Sequence, residues 1–171
     1  FTENVILGEM LTQLVRSSQS EAVHKKELGG TRVLWNALLR GDIDVYAEYT
    51  GTITQELLAG QGVKSEKEIA MAVAKHGLQM SRPIGFNNTY ALAVREELAQ
   101  SKDLKTISDL RGHPDMRAAF SSGFTDRDDG WPGLKEHYDL RLAEVRVIEH
   151  SLSYEALFLD KVDVIDIYST D

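Results

Sequence analysis

With 171 residues, 42% hydrophobic and 27% charged, the chain has the composition of a globular protein built as one large domain or two small lobes, which excludes disordered, collagen-like and fibrous classes. Nineteen Lys+Arg against 27 Asp+Glu give a net charge of −8, which argues against a nucleic-acid or anionic-lipid surface, since either needs a Lys/Arg stripe. The absence of cysteine removes disulfides, thiol nucleophiles and Cys-ligated zinc, and leaves the compartment open.

In chain order, Ile6/Leu7, Met10/Leu11 and Leu14/Val15 recur at helical spacing behind Thr2, a candidate N-cap, and predict a helix from Glu3 to Arg16. A second helix is expected from Thr31, with Leu34/Trp35 and Leu38/Leu39 on one stripe and a stop at Gly41. Ile43, Val45 and Ala47 then alternate with Asp44, Tyr46 and Glu48, the pattern of a strand with one covered face, and Gly51 marks a turn. Ser65-Glu66-Lys67-Glu68 reads as a capping box for a helix to about His76. Tyr90 to Val94 predicts a strand, Glu96 to Gln100 a short helix, and Met116 to Phe120 a second strand ahead of a Gly/Asp-rich loop. Pro132 in a first turn opens the next helix, a strand follows at Val145 to Ile148, and a helix from Ser153 to Leu159 leads into a strand from Val162 to Tyr168. Helix and strand alternate, which predicts an α/β fold with largely parallel sheets. No run approaches the roughly 18 apolar residues that span a bilayer. Phe1-Thr2-Glu3-Asn4 lacks a secretory-signal pattern and the last strand runs almost to the final residue, so either end is expected to continue in a longer protein.

Residues 37–52 (ALLRGDIDVYAEYTGT) and 156–171 (ALFLDKVDVIDIYSTD) align without a gap, with identity at Ala37/Ala156, Leu38/Leu157, Asp44/Asp163, Val45/Val164 and Tyr49/Tyr168. A repeated helix-turn-strand unit would place a tyrosine just past a strand's carboxyl end in each half, where open α/β sheets bind ligands. Catalytic patterns are weak. His24, His76, His113, His137 and His150 show no i,i+4 metal pairing and read as solvated surface, so no metal or cofactor is assigned. There is no phosphate loop and no Gly-x-Ser-x-Gly elbow, and Asp126-Arg127-Asp128-Asp129-Gly130 lacks calcium-loop spacing. Tyr49, Tyr90 and Tyr168 remain, each at an expected strand end beside small polar residues. Converging tyrosine faces are the usual device for a quaternary ammonium, which donates no hydrogen bond and is held by cation–π attraction. Each tyrosine taken singly is more often an edge-packing residue than a ligand contact, and only their convergence favours the ligand role.

Leu28-Gly29-Gly30-Thr31, Leu34 to Leu38, Gly41 to Thr52, Asn88 to Leu92, Asp129-Gly130-Trp131-Pro132-Gly133-Leu134 and Tyr168 to Asp171, together with the opening Phe1-Thr2-Glu3, resemble the glycine betaine/choline/carnitine-binding proteins of ABC importers along the whole chain. The resemblance implies a two-lobed, type II periplasmic-binding-protein-like fold with residues 1–86 as a partial first lobe, 87–168 as the second lobe with hinge strands at its borders, and 169–171 as the start of a return to the first. It implies binding of a quaternary-ammonium osmolyte (glycine betaine, choline, carnitine or proline betaine) and delivery to a membrane permease, anchored or fused, on the periplasmic or extracellular side, with no chemical step. Position by position, Tyr49, Tyr90 and Tyr168 look like cage walls, Thr52 and Asn88 like polar contacts to the other end of the ligand, and Arg127 like a carboxylate clamp. The bland alternative for Arg127 is a surface arginine paired with Asp126 or Asp128. Family members carry a strand ahead of Phe-Thr-Glu and a stretch beyond Ser-Thr-Asp with a further aromatic, and Ala47 stands where proline is common. Two other readings stay open: the sensing domain of a regulator on the same bilobed fold, and an enzyme on this fold with Glu48 as its candidate acid/base.

Overall fold

The computed structural model describes residues 2–26 and 28–171, so Phe1 of the Phe-Thr-Glu motif lies outside the described residues. The chain divides into an amino-terminal unit ending at Phe86 and a carboxy-terminal unit from Asn87 to Asp171.

In the first unit α1 (Thr2–Ser17) forms as its spacing predicts, but Ile6, Met10 and Leu14 of its apolar stripe are exposed, while Leu7 and Leu11 are half-buried. The second helix, α2 (Thr31–Arg40), ends at Gly41, whose φ of 75° is the left-handed conformation that lets the Gly41 and Asp42 N–H groups bond back to the carbonyls of Leu38 and Ala37. The strand expected over Ile43, Val45 and Ala47 is not there. Alternation encodes one covered face, but a strand also needs a neighbour for its N–H and C=O groups, and none of the described residues pairs with 42–49. The part of the first near-repeat copy that corresponds to the last expected strand in the second, residues 43–49, is therefore irregular backbone between two helical segments. Past Tyr49 the chain turns into α3 (Thr50–Thr52) and a π-helical turn, Ile53–Leu57, where the sequence suggested only a turn at Gly51. That turn drives Ile53 and Leu57 into a core with Trp35, Leu58, Ile69, Ala72 and Val73. The last three come from α4 (Glu66–Ala74) and the turn before it supplies its cap: the Ser65 hydroxyl accepts the Glu68 N–H, and the Glu68 carboxylate accepts the Ser65 N–H at 2.9 Å.

The second unit runs β1 (Tyr90–Val94), α5 (Glu96–Ser101), a 3-10 turn at Ile107–Gly112, β2 (Arg117–Phe120), α6 (Ser122–Thr125), α7 (Trp131–Tyr138), β3 (Glu144–Val147), α8 (His150–Phe158) and β4 (Val164–Tyr168). The sheet order is β1-β4-β2-β3, with β4·β2 and β2·β3 parallel and β1·β4 antiparallel. Helix α8 starts three residues earlier than Ser153, because Glu149 acts as its N-cap and accepts the Ser151 N–H at 2.9 Å. Phe120, Phe124, Leu110, Met116, Leu140 and Val164 fill one side of the sheet; Ala119, Val162 and Ile165 pack on the other with Leu157 of α8. Residues 169–171 belong to this unit: the Asp171 N–H bonds the Tyr168 carbonyl at 3.0 Å, and its carboxylate accepts the Tyr168 N–H at 2.8 Å.

Candidate functional site

The antiparallel pairing of β1 with β4 decides where the two tyrosines of the second unit lie. Tyr90 opens one strand and Tyr168 closes the other, yet the register makes them direct partners, so both stand at the same end of the sheet. Their ring centroids are 4.9 Å apart at an interplanar angle of 34°, and the two hydroxyls are 3.3 Å apart. Phe124 lies 4.9 Å from Tyr90 on one flank and His150 lies 4.9 Å from Tyr168 on the other, so the four rings form a row. Behind the row, Phe120 contacts Phe124 and Trp131 at centroid distances of 5.2 and 5.1 Å. The rings are thus fixed by the core as well as by each other.

Burial pushes the Tyr168 phenol well above the ordinary tyrosine range, helped by Tyr90, Asp166 and Asp171 nearby. Tyr90 is also raised, chiefly by burial; the hydrogen bond with Tyr168 and the positive charge of Arg127 oppose that rise, and Asp166 and Asp129 add to it. Both rings are neutral phenols near pH 7, and a neutral phenol presents an electron-rich face to a cation. The Arg127 guanidinium holds Asp129 in a two-pronged pair, Nε to Oδ1 at 2.8 Å and Nη2 to Oδ2 at 2.6 Å. Its bidentate acid partner is therefore Asp129, where the sequence suggested Asp126 or Asp128, and its charge reaches the Tyr90 hydroxyl. Asn88 sits two residues before Tyr90, its Oδ1 accepting the Ser169 hydroxyl at 3.3 Å.

The remaining two expected residues belong to the first unit. Tyr49 takes extended backbone angles at the start of α3, donates its hydroxyl to Glu3 and its N–H to a Glu48 carboxylate oxygen at 2.9 Å, and meets Phe86 edge-on at 6.4 Å. Thr52, half-buried, closes α3 where the π-helical turn begins. Tyr49 thus caps a helical turn instead of ending a strand.

Sequence reasoning missed the support behind Tyr168. His150 and His24, read as solvated, have side chains only 15% and 13% exposed; His150 Nε2 bonds Asp171 at 2.9 Å and His24 Nδ1 bonds Glu9 at 2.9 Å. Asp166 is fully buried and accepts the Ser121 N–H and hydroxyl at 2.7 and 2.6 Å. The alternation of β4 does carry a signal for Asp166: within Val164-Ile165-Asp166-Ile167-Tyr168 the carboxylate shares a strand face with Val164 and Tyr168. Among the described residues there is no group of three metal-ligating side chains, and no helix is long and apolar enough to cross a membrane.

Residues 1–171 match throughout the profile of OpuAC, the substrate binding domain of ABC-type glycine betaine transport system. The chain belongs to the OpuAC family. It is 33% identical over 177 residues to the ergothioneine transport permease/ergothioneine binding protein EgtU of Helicobacter pylori, covering 99% of this chain and 32% of that protein. It is 31% identical over 180 residues to the carnitine transport binding protein OpuCC of Listeria monocytogenes, covering 99% and 58%. A solved glycine betaine/carnitine/choline ABC transporter structure superposes with a TM-score of 0.63 at 31% identity, covering 99% of this chain and 66% of that one. The chain thus spans 32% to 66% of these relatives' lengths. The match establishes the α/β fold class of periplasmic binding proteins, and OpuAC is a family of substrate-binding domains, not of enzymes.

Proposed function

We propose that this chain binds a quaternary-ammonium osmolyte, of the class of glycine betaine, choline, carnitine or proline betaine, and hands it to an ABC permease on the periplasmic or extracellular side of the membrane. The observation that carries the reading is the contact pair Tyr90 and Tyr168, two neutral phenol rings held at one end of the sheet by register and core. A trimethylammonium head has no donor for a carbonyl or carboxylate to recognise, so ring faces and shape supply its attraction, at about 0.5–2 kcal/mol per ring. On this reading Tyr49 is a further wall, Thr52 and Asn88 meet the other end of the solute, and Arg127 attracts its carboxylate where it has one. Residues 1–86 and 87–168 serve as the two lobes, and differential affinity for the liganded arrangement drives closure. The combined permease and binding protein named in EgtU supports a partner permease that is either separate or fused.

Isothermal titration of the 171-residue chain with the four solutes tests this, alongside Tyr49→Ala and Tyr168→Ala. Saturable binding of at least one solute, weakened by about 1–2 kcal/mol or more in both variants, is the expected result. No saturable heat with any of the four, or binding indifferent to Tyr168→Ala, overturns it.

A further inference from the structure

The ring row ends on a histidine that no binding role has so far used. His150 is the first residue of α8, and its ring packs 4.9 Å from Tyr168 at 56° and 5.6 Å from Tyr154, edge-on. Each of its ring nitrogens faces a carboxylate. Nε2 lies 2.9 Å from an Asp171 carboxylate oxygen that also accepts the Tyr154 hydroxyl at 2.6 Å and the Tyr168 N–H at 2.8 Å. Nδ1 is buried with no hydrogen-bond partner among the described residues, 4.0 Å from the fully buried Asp166 carboxylate. A buried nitrogen left without a hydrogen bond costs its lost solvation and calls for an explanation.

We infer that His150 is a positioning residue for the Tyr168 ring, and that the proton it gains or loses sets how strongly that ring holds a cation. The inference rests on the osmolyte-binding reading for its second half only. In the neutral imidazole the proton on Nε2 is donated to Asp171, which fixes the ring plane against Tyr168 and leaves the Nδ1 lone pair turned toward Asp166. When His150 is protonated, an N–H points at each carboxylate and a positive charge stands one ring away from the ligand's ammonium. The electron-rich face of Tyr168 is then already engaged by a cation, and the two positive charges repel.

The groups that set this balance come from every side. Asp166 and Tyr168 face His150 from β4, Asp171 from the turn that follows, Tyr154 from the next turn of α8, and Glu149 precedes it in the chain. β2 also packs on α8; Ser121, the residue just past it, holds Asp166, and its charged residue Arg117 is committed to Asp163.

The test compares His150→Gln with the unmodified chain. The Gln amide nitrogen reproduces the Nε2 donor to Asp171 but does not titrate. For the solute that gives saturable heat, affinity in the unmodified chain falls by about fivefold between about pH 8 and pH 5. In His150→Gln the profile is flat. Equal profiles in both proteins overturn the inference, because the carboxylates alone would then be responsible. A ligand-free measurement keeps it decidable if none of the solutes binds: in protein carrying ring-labelled tyrosine, the Tyr168 resonance, assigned with Tyr168→Phe, shifts across the same pH range in the unmodified chain and stays fixed in His150→Gln. A Tyr168 resonance that moves identically in both refutes the positioning role. A resonance that titrates only with His150 present, with no solute bound, retains the positioning role and removes the osmolyte reading.

Discussion

Asp163, in the turn leading into β4, accepts the Arg117 N–H at 2.8 Å, Arg117 Nε and Nη2 at 3.0 Å each, and Arg95 Nη2 at 3.3 Å, with its side chain 14% exposed. It ties β1's end, β2's start and the chain after α8 into one knot. In Asp163→Asn the charge is lost and an amide N–H₂ is turned toward guanidinium donors, while the Arg117 N–H loses part of its acceptor. Arg95 keeps the Leu157 and Val162 carbonyls at 2.7 Å and Arg117 keeps the Asp160 carbonyl at 3.0 Å, so neither cation is stranded. Weighing a charge-assisted pair against those retained bonds gives a loss of about 2 kcal/mol. The pH dependence follows from the sign of the shift. The hydrogen bond from the Arg117 side chain, against a smaller opposing effect of burial, holds the Asp163 carboxyl below the usual carboxylate range. Its stabilisation is therefore complete above the unfolded value of about 4 and is lost as pH falls through the lower folded value. The chain has two tryptophans, one in each unit, so in a Trp35→Phe background Trp131 fluorescence during urea unfolding reports the second unit. The stability gap between the parent and the Asp163→Asn variant should be full at about pH 7 and pH 5.5 and narrow toward about pH 3. A gap that is constant over that range, or below about 0.5 kcal/mol at neutral pH, refutes the account.

Gly130→Ala places a Cβ 2.1 Å from the Phe124 carbonyl oxygen and 3.0 Å from its carbon, both backbone atoms, so the Trp131-reported midpoint should fall by an amount equivalent to about 1–3 kcal/mol. Ser65→Ala removes the reciprocal cap of α4 and should cost about 1 kcal/mol, read by Trp35 emission in a Trp131→Phe background, with Ser65→Thr close to the parent. In an alkaline absorbance titration, Tyr168→Phe should remove one late phenol ionisation and delay that of Tyr90 further, since the Tyr168 hydroxyl favours the Tyr90 phenolate; an earlier Tyr90 transition would contradict the observed hydroxyl pair.

How far the sequence reaches depends on whether a signal is local. The Ser65 capping box, the Gly41 stop and the Pro132 helix start are settled within a few residues, and all three appear as expected. The strand read at Ile43 to Ala47 fails because alternation is a property of the segment whereas pairing belongs to a partner. The π-helical turn at Ile53–Leu57 escapes for a related reason, since its hydrogen-bond spacing answers to where Ile53 and Leu57 must pack. Tyr90 and Tyr168 were visible as residues, but their contact depends on an antiparallel register between strands at opposite ends of the unit. His150, Asp166 and Asp171 lie further out of reach, because a histidine beside polar neighbours reads the same whether its ring is exposed or wedged against Tyr168.

The ladder between β1 and β4 also makes a neck. The backbone enters the sheet of the second unit at Tyr90 and leaves it at Tyr168, and those two positions are register partners, with Cα atoms of such pairs about 4.5–5.5 Å apart. Everything from 91 to 167 is a loop pinched at its base, and the pinch carries the two contacting phenols. Any pull that parts the incoming strand from the outgoing one parts the rings as well, so at this point the closure of the loop and the packing of its aromatic pair are the same piece of chain.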